Sequence, residues 1–168
     1  LMAKLVGDTG RVYAFEPASE NLAKLRANLA LNSFDHVKVI EAAAWSEPAT
    51  GTRYKSKDDS GGNAMWNPAE WWENRKTQEQ GPGLESVNLT TLDREIVDRS
   101  RLTFIKIDTE GAEYHVIDGA CELLTQRCPA VVAEFSPFAL AQMGDTESSL
   151  RDLMGSHGYH TFLPYRTG

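Results

Sequence analysis

The sequence predicts an α/β fold, a Rossmann-like sheet with helices on both faces, and three observations carry that prediction. Short β-rich runs alternate with helical patterns along most of the chain. The strand-like runs RVYAFE, LTFIKID and VVAEF are apolar through most of their length, as strands of a parallel sheet covered on both sides are. An acid stands at the end of each, Glu16, Asp108 and Glu134, and the carboxyl ends of strands are where open α/β sheets bind ligands.

The elements follow in order. LMAKLVGDTG reads as the end of a helix, with Gly7 or Gly10 as its terminator. RVYAFE (11–16) is a strand stopped by Pro17, and a helix with Leu22, Leu25 and Leu29 on one face follows a Ser19 cap. HVKVIEAA (36–43) is the next strand and LTFIKID (102–108) the one after it. One helix carrying Ala112, Val116, Ile117, Ala120, Leu123 and Leu124 then runs to Pro129. VVAEF, a polar helix over roughly 146–156 and a closing strand YHTFL (159–163) complete the series. Residues 46–90 interrupt the alternation with a glycine-bearing polar insertion or lid inside what is otherwise a single domain, residues 1–168. Within it TRYKS (52–56) and SVNLT (86–90) pair as an antiparallel excursion, leaving WNPAEWW (66–72) near its tip.

Composition narrows the function. With 168 residues, 41% hydrophobic and 24% charged, the chain is long enough for one domain with a core. Seventeen Lys and Arg against 24 Asp and Glu give a net charge of −7, which disfavours nucleic acid and anionic membrane surfaces as partners and points to small molecules. No apolar run approaches the ~18 to 20 residues of a membrane span, and the N-terminus lacks a secretory layout, so the expected location is the cytoplasm. Cys121 and Cys128, placed on one helix, stand ~10 Å apart at ~1.5 Å per residue, beyond disulfide reach, and read as core-facing thiols. No Cys/His cluster supports zinc, and no metal is assigned.

Candidate site residues cluster at the strand ends. Glu16 can accept hydrogen bonds from two ribose hydroxyls of a nucleoside-bearing cofactor. KIDTEGAEY (106–114) sets Asp108, Glu110 and Glu113 around a turn at Gly111, where a carboxylate can serve as general base, substrate hydrogen-bond acceptor or metal ligand. Glu113 in the first helical turn also suits the helix dipole. Glu134 and Ser136 in AEFSP occupy a second crevice position, with Phe135 turned into the sheet. Trp66, Trp71 and Trp72 offer either a stacking wall for a flat or sugar substrate or packing for the lid, and Trp45 lies near an adenine position. His115 reads as structural, and His36, His157 and His160 form no triad pattern.

RVYAFEP (11–17), LALN (29–32), VKVIEAAAWSE (37–47), TLD (91–93) and IKIDTEGAE (105–113) together resemble the FkbM family of S-adenosylmethionine-dependent methyltransferases. The resemblance implies a seven-stranded methyltransferase sheet and methyl transfer to a hydroxyl oxygen of a small molecule or sugar. It implies that Glu16, beside Pro17, holds the cofactor ribose, that Ala43 and Trp45 flank adenine, and that Asp108 stands at the mouth of strand four. On that basis Asp108 and Glu110 are the catalytic candidates, Asp108 also faces the cofactor, and Glu134, Ser136, Trp66 and Trp71 are substrate contacts. The family's glycine-containing cofactor loop has no counterpart, so the chain is expected to begin inside the first βαβ unit, without its first strand. That loss, ~10 kcal/mol of burial against a net stability of ~5 to 15, predicts self-association through open strand edges. Two other readings compete: a catalytically incomplete fragment or interaction module, and, more weakly, an NAD-dependent oxidoreductase, which also needs a glycine fingerprint.

Overall fold

Seven strands and seven helices form the architecture in the computed structural model, which describes residues 1–55, 64–66 and 83–162. Helix α1 (Met2–Val6) ends at Gly7, whose φ of 67° lies in the left-handed region. Strand β1 (Val12–Phe15) leads to α2 (Ser19–Leu31) and to β2 (Val37–Ile40), which pairs with β1 in parallel, Phe15 opposite Ile40. Ser19 is the first residue of α2 rather than its cap. The cap position is Ala18, and Glu16 Oε1 accepts its backbone N–H at 2.8 Å. Of the predicted leucine face only Leu22 is fully buried, while Leu25 and Leu29 are half-buried.

The run 36–43 is split between two sheets. Beyond β2, the two-residue strand β3 (Ala43–Ala44) pairs in parallel with Leu89 and Thr90 of β5 (Gly83–Thr90). Strand β4 (Ala49–Lys55) pairs with β5 antiparallel, with Arg53 directly opposite Glu85; an excursion forms, but in a shifted register in which only Thr52 and Ser86 of the two predicted segments are partners, and Ser56 lies outside the described residues. The remaining strands, β6 (Phe104–Ile107) and β7 (Ala130–Ala133), make a third, parallel pair. The expected continuous sheet is therefore not formed among the described residues: β1–β2, β3–β5–β4 and β6–β7 are separate sheets, and no ladder joins β1 to β6. The predicted closing strand is absent from residues 159–162, and its last position, 163, lies outside the described residues.

The core packs around β6. Ile105 and Ile107 meet Val116 and Ile117 of α4 (Glu113–Asp118), Leu123 and Leu124 of α5 (Cys121–Arg127), Leu140 of α6 (Pro137–Gln142), and Leu150 and Met154 of α7 (Glu147–Ser156). Tyr13 and Phe15 of β1 reach the same cluster, so apolar contact joins sheets that hydrogen bonds do not. Helix α7 begins with a capping box between Thr146 and Ser149, which fixes where the polar helix starts.

The single helix predicted through Ala112–Leu124 breaks at Gly119. A β-carbon there would stand 1.9 Å from the carbonyl oxygen of Trp45, so the backbone of the loop after β3 occupies the space of a side chain. Helix α3 (Leu92–Glu95) locks the break: Asp93 N–H donates to Gly119 O at 3.1 Å, and the Asp93 carboxylate accepts from the N–H groups of Glu122 and Leu123, each at 2.9 Å. Asp93 thus caps α5 from a distance of nearly thirty residues in sequence, the part played by the TLD motif. Gly119→Ala must displace backbone rather than a flexible side chain and is expected to cost ~3 kcal/mol, read as a lowered urea midpoint at unchanged slope. The break also corrects the cysteines, since Cys128 is the exposed, left-handed C-cap of α5 and Cys121 is only half-buried; both are free.

Candidate active site

The carboxyl ends of β1, β6 and β7 converge on one cavity of about 480 Å³. In-register pairing explains the convergence. Ile107 lies opposite Ala133, and Glu134 N–H donates to Ile107 O at 2.9 Å, so the next residues, Asp108 and Glu134, emerge side by side. Glu16 leaves β1 in the same way, its N–H donating to Ile40 O at 3.0 Å. Phe15, Glu16, Pro17, Ala43, Trp45, Asp108, Glu110 and Glu134 all line the cavity, which brings together seven predicted site residues from four separate segments and adds Phe15 to them.

The turn after β6 is built around a buried carboxylate. Glu113 is 1% exposed, and its Oε1 accepts from Thr109 N–H at 3.0 Å, Thr109 Oγ at 2.9 Å and Gly111 N–H at 3.2 Å. It holds the turn from the first helical turn of α4, where a carboxylate also suits the helix dipole, and it does not line the cavity. Gly111 adopts φ 107°, and a β-carbon on it would lie 2.5 Å from the carbonyl oxygen of Ala139 on α6, so glycine is required twice over. Glu110 takes a left-handed φ of 52° without being glycine.

The result is a cluster in which carboxylate oxygens of Asp108, Glu110 and Glu134 all lie within 4.8 Å of one another. Such groups can share a proton or hold a cation, and the hydrogen bond between Asp108 and Glu134 is the first of these. That bond, followed by desolvation and repulsion from Asp108, Glu110 and Glu113, pushes Glu134 up to about 7. Asp108 moves the other way, held below its usual range by the hydrogen bonds from Glu134 and from Lys106. The two carboxyls titrate as a pair, the proton being held more tightly at Glu134 than at Asp108. Lys106, whose ammonium pairs with Asp108 from two residues earlier on the same strand, is half-exposed, so that ion pair orients the carboxylate more than it stabilises the fold.

Other predicted residues are placed differently. Ser136 is the N-cap of α6, its Oγ accepting from Ala139 N–H at 3.3 Å, and it does not line the cavity. Trp66 is also outside the lining: its indole N–H donates to the carbonyl of Glu110 at 2.8 Å and its ring meets Phe138 edge-on at 5.7 Å. Trp71 and Trp72 lie outside the described residues. Phe135 packs on the core as predicted. His115 stacks on Trp45, ring centroids 4.1 Å apart, and stands 3.6 Å from Asp145, which supports its structural reading and fixes the indole in the cavity wall.

Sequence reasoning missed Arg53. It is 2% exposed, lines the cavity, and donates to Glu20 at 2.9 Å and, through Nε at 3.1 Å and through Nη2, to Glu85. Burial works against its charge, but the hydrogen bonds to the two carboxylates outweigh it and hold the guanidinium more firmly protonated than a free arginine. The available signal was a charge in the apolar-out alternation of β4 with a glutamate opposite it in β5, legible only once the register was known.

An α/β domain that gathers a strand-end glutamate and a proton-sharing acid pair around one cavity is a ligand-binding domain of enzyme type. Its family follows from comparison: a model of the methyltransferase FkbM domain matches residues 1–161, and the chain belongs to that methyltransferase family. A solved methyltransferase FkbM from Methylobacillus flagellatus is similar in fold, with a TM-score of 0.56 at 20% identity over 92% of this chain. The chain spans 34% of that protein's length. No curated protein matches. Among the described residues no helix is long and apolar enough to cross a membrane.

Proposed function

We propose that this domain is a Rossmann-like S-adenosylmethionine-dependent methyltransferase acting on a hydroxyl oxygen of a small molecule or sugar. The observation that carries the proposal is the pairing of Glu16 and the Asp108–Glu134 acid pair across one cavity. The residues fit the cofactor. Glu16 is fastened through Oε1 to the head of α2, and its second oxygen remains for a ribose hydroxyl. Ala43 and Trp45, from the β3 end, furnish an apolar wall for a base, with the indole backed by His115.

When bound, the cofactor supplies an electrophilic methyl group, so no protein nucleophile is needed. The chain's own residues must orient an acceptor hydroxyl and take its proton. Asp108 is the residue in place to orient it, Glu110 contributes a further acceptor, and the proton goes to the Asp108–Glu134 pair as the oxygen–carbon bond forms. The walls Glu16, Asp108, Glu110 and Glu134 favour a polyhydroxylated or cationic ligand over an anionic one.

Calorimetric titration with S-adenosylhomocysteine, with NAD as the control nucleotide, tests the cofactor reading. Saturable binding of the first alone is expected, weakened ~10-fold or more by Glu16→Ala through loss of a charge-assisted hydrogen bond. Preference for NAD, or binding of neither, counts against it. The proton assignment has its own test in the pH profile. Glu134 must be ionised to take the proton, and it is pushed up to about 7, so if it shares that role turnover is expected to rise with pH through about 7 and then level. A profile flat from pH 5 to 9 removes Glu134 from the proton path and leaves Asp108, held below its usual range and ionised throughout, as the acceptor.

A further inference from the structure

We infer that Trp66 is a positioning residue for the acid cluster: its indole N–H holds the Glu110 carbonyl, and with it the left-handed backbone that carries the Glu110 carboxylate to Asp108 and Glu134. Its importance to catalysis rests on the methyl-transfer reading, whereas the arrangement itself does not.

Three contacts bring Trp66 to the turn. Tyr54 of β4 and Ala64 exchange backbone hydrogen bonds, N–H to O distances 2.9 and 3.3 Å, which anchors the short segment Ala64–Trp66 beside the excursion. Met65 lies over Gly51, where a β-carbon would come within 2.8 Å of its terminal methyl. The indole then reaches across to the turn after β6, its edge against Phe138 of α6.

Other supports of the turn hold Thr109 and Gly111. Glu113 binds the N–H groups of Thr109 and Gly111, and Ala139 closes on Gly111. The Glu110 carbonyl takes the Trp66 N–H at 2.8 Å. A non-glycine residue at φ 52° is held against its own preference, so a donor on its carbonyl bears on whether that conformation persists. Glu110 is also the member of the cluster furthest from a strand ladder, since Asp108 and Glu134 each follow directly on a paired residue. Trp66 therefore bears on the site by fixing an acid rather than by lining the cavity.

Two variants of the full chain test this without a substrate. Trp66→Phe keeps a ring against Phe138 and loses the N–H, and benzothienylalanine at position 66 keeps the indole shape while placing sulfur where the N–H was. In both, amide exchange at Glu110 and Gly111 is expected to quicken ~10-fold or more as the turn opens locally. The Glu134 carboxyl midpoint, followed by carbon-13 NMR, is expected to fall by roughly half a unit as the Glu110 charge moves off, because like charges raise a carboxyl pKa. The groups facing Glu134 are Asp108 and Lys106 on β6, Glu110 on the turn and Glu113 on α4, and only Glu110 touches Trp66. If the turn exchange and the Glu134 midpoint are both unchanged in the isostere, Trp66 does not position the cluster, whatever Trp66→Phe does to folding. Binding of S-adenosylhomocysteine by the unaltered chain is measured separately, so failure of the cofactor reading and failure of this one give different results.

Discussion

Asp108→Asn is expected to lower the proposed methyl transfer by ~100-fold or more, the usual loss when a positioned proton acceptor is removed. Asparagine matches aspartate in size and can still orient a hydroxyl, so the loss isolates charge and proton acceptance. It has a second, substrate-free consequence. Glu134 is held up at about 7 chiefly by its hydrogen bond with Asp108, and by repulsion from it. An amide at position 108 carries no charge and can donate to the Glu134 carboxylate, so the Glu134 midpoint falls toward the ordinary carboxyl range. Lys106 loses its partner but is half-exposed and remains hydrated, so stability changes little. Transfer of a labelled methyl group and carbon-13 titration of the carboxyls read the two effects. Full activity with a lowered Glu134 midpoint removes Asp108 from the proton path and leaves it only an electrostatic neighbour.

Arg53→Met destabilises the domain by ~2 to 3 kcal/mol, the lower part of the range for breaking a buried ion pair. The guanidinium is 2% exposed, whereas the Glu85 and Glu20 side chains are 19% and 38% exposed and recover some hydration when it is gone. The residue ties α2 to both strands of the excursion, so its loss is felt at the rim of the cavity as well as in the global unfolding energy. Urea denaturation measures the cost. Adding Glu85→Gln to the Met variant is expected to recover part of it by removing an uncompensated charge. A loss below ~0.5 kcal/mol for the single variant shows the charges to be solvated and the clamp dispensable.

Much of the local structure was legible. Apolar runs ended by an acid located β1, β6 and β7, because a strand buried on its faces needs continuous apolar residues and its polar successor marks the sheet's end. An antiparallel excursion formed, but of TRYKS and SVNLT only Thr52 and Ser86 pair with each other, because Arg53–Lys55 lie opposite Gly83–Glu85 and Val87–Leu89 lie opposite Ala49–Gly51. The helix over Ala112–Leu124 was not legible as two, since its periodicity continues through Gly119 and only the approach of the Trp45 carbonyl forbids a side chain there. The run 36–43 likewise reads as one strand, although two sheets divide it.

In the site, Glu16, Asp108, Glu110 and Glu134 were found from position alone, because strand ends define a ligand crevice before any contact is known. Ser136 and Trp66 were misplaced for a related reason: a serine before Pro137 is as suited to capping as to binding, and an indole near a cavity can spend its N–H on backbone. Glu113 reversed its expected role since burial converts a solvated helix-terminal acid into the internal partner of a turn.

By itself the sequence determined most of the strands and helices, which acids stand at strand ends, and the family those motifs mark. These are properties of chemistry and spacing within a few residues. Tertiary structure alone decided that Asp108 and Glu134 stand side by side in one cavity, that Arg53 is buried between two glutamates, and that Trp66 reaches Glu110 from the insertion. Each depends on register and on chain crossings tens of residues apart, where a shift of one position sends a side chain to the opposite face.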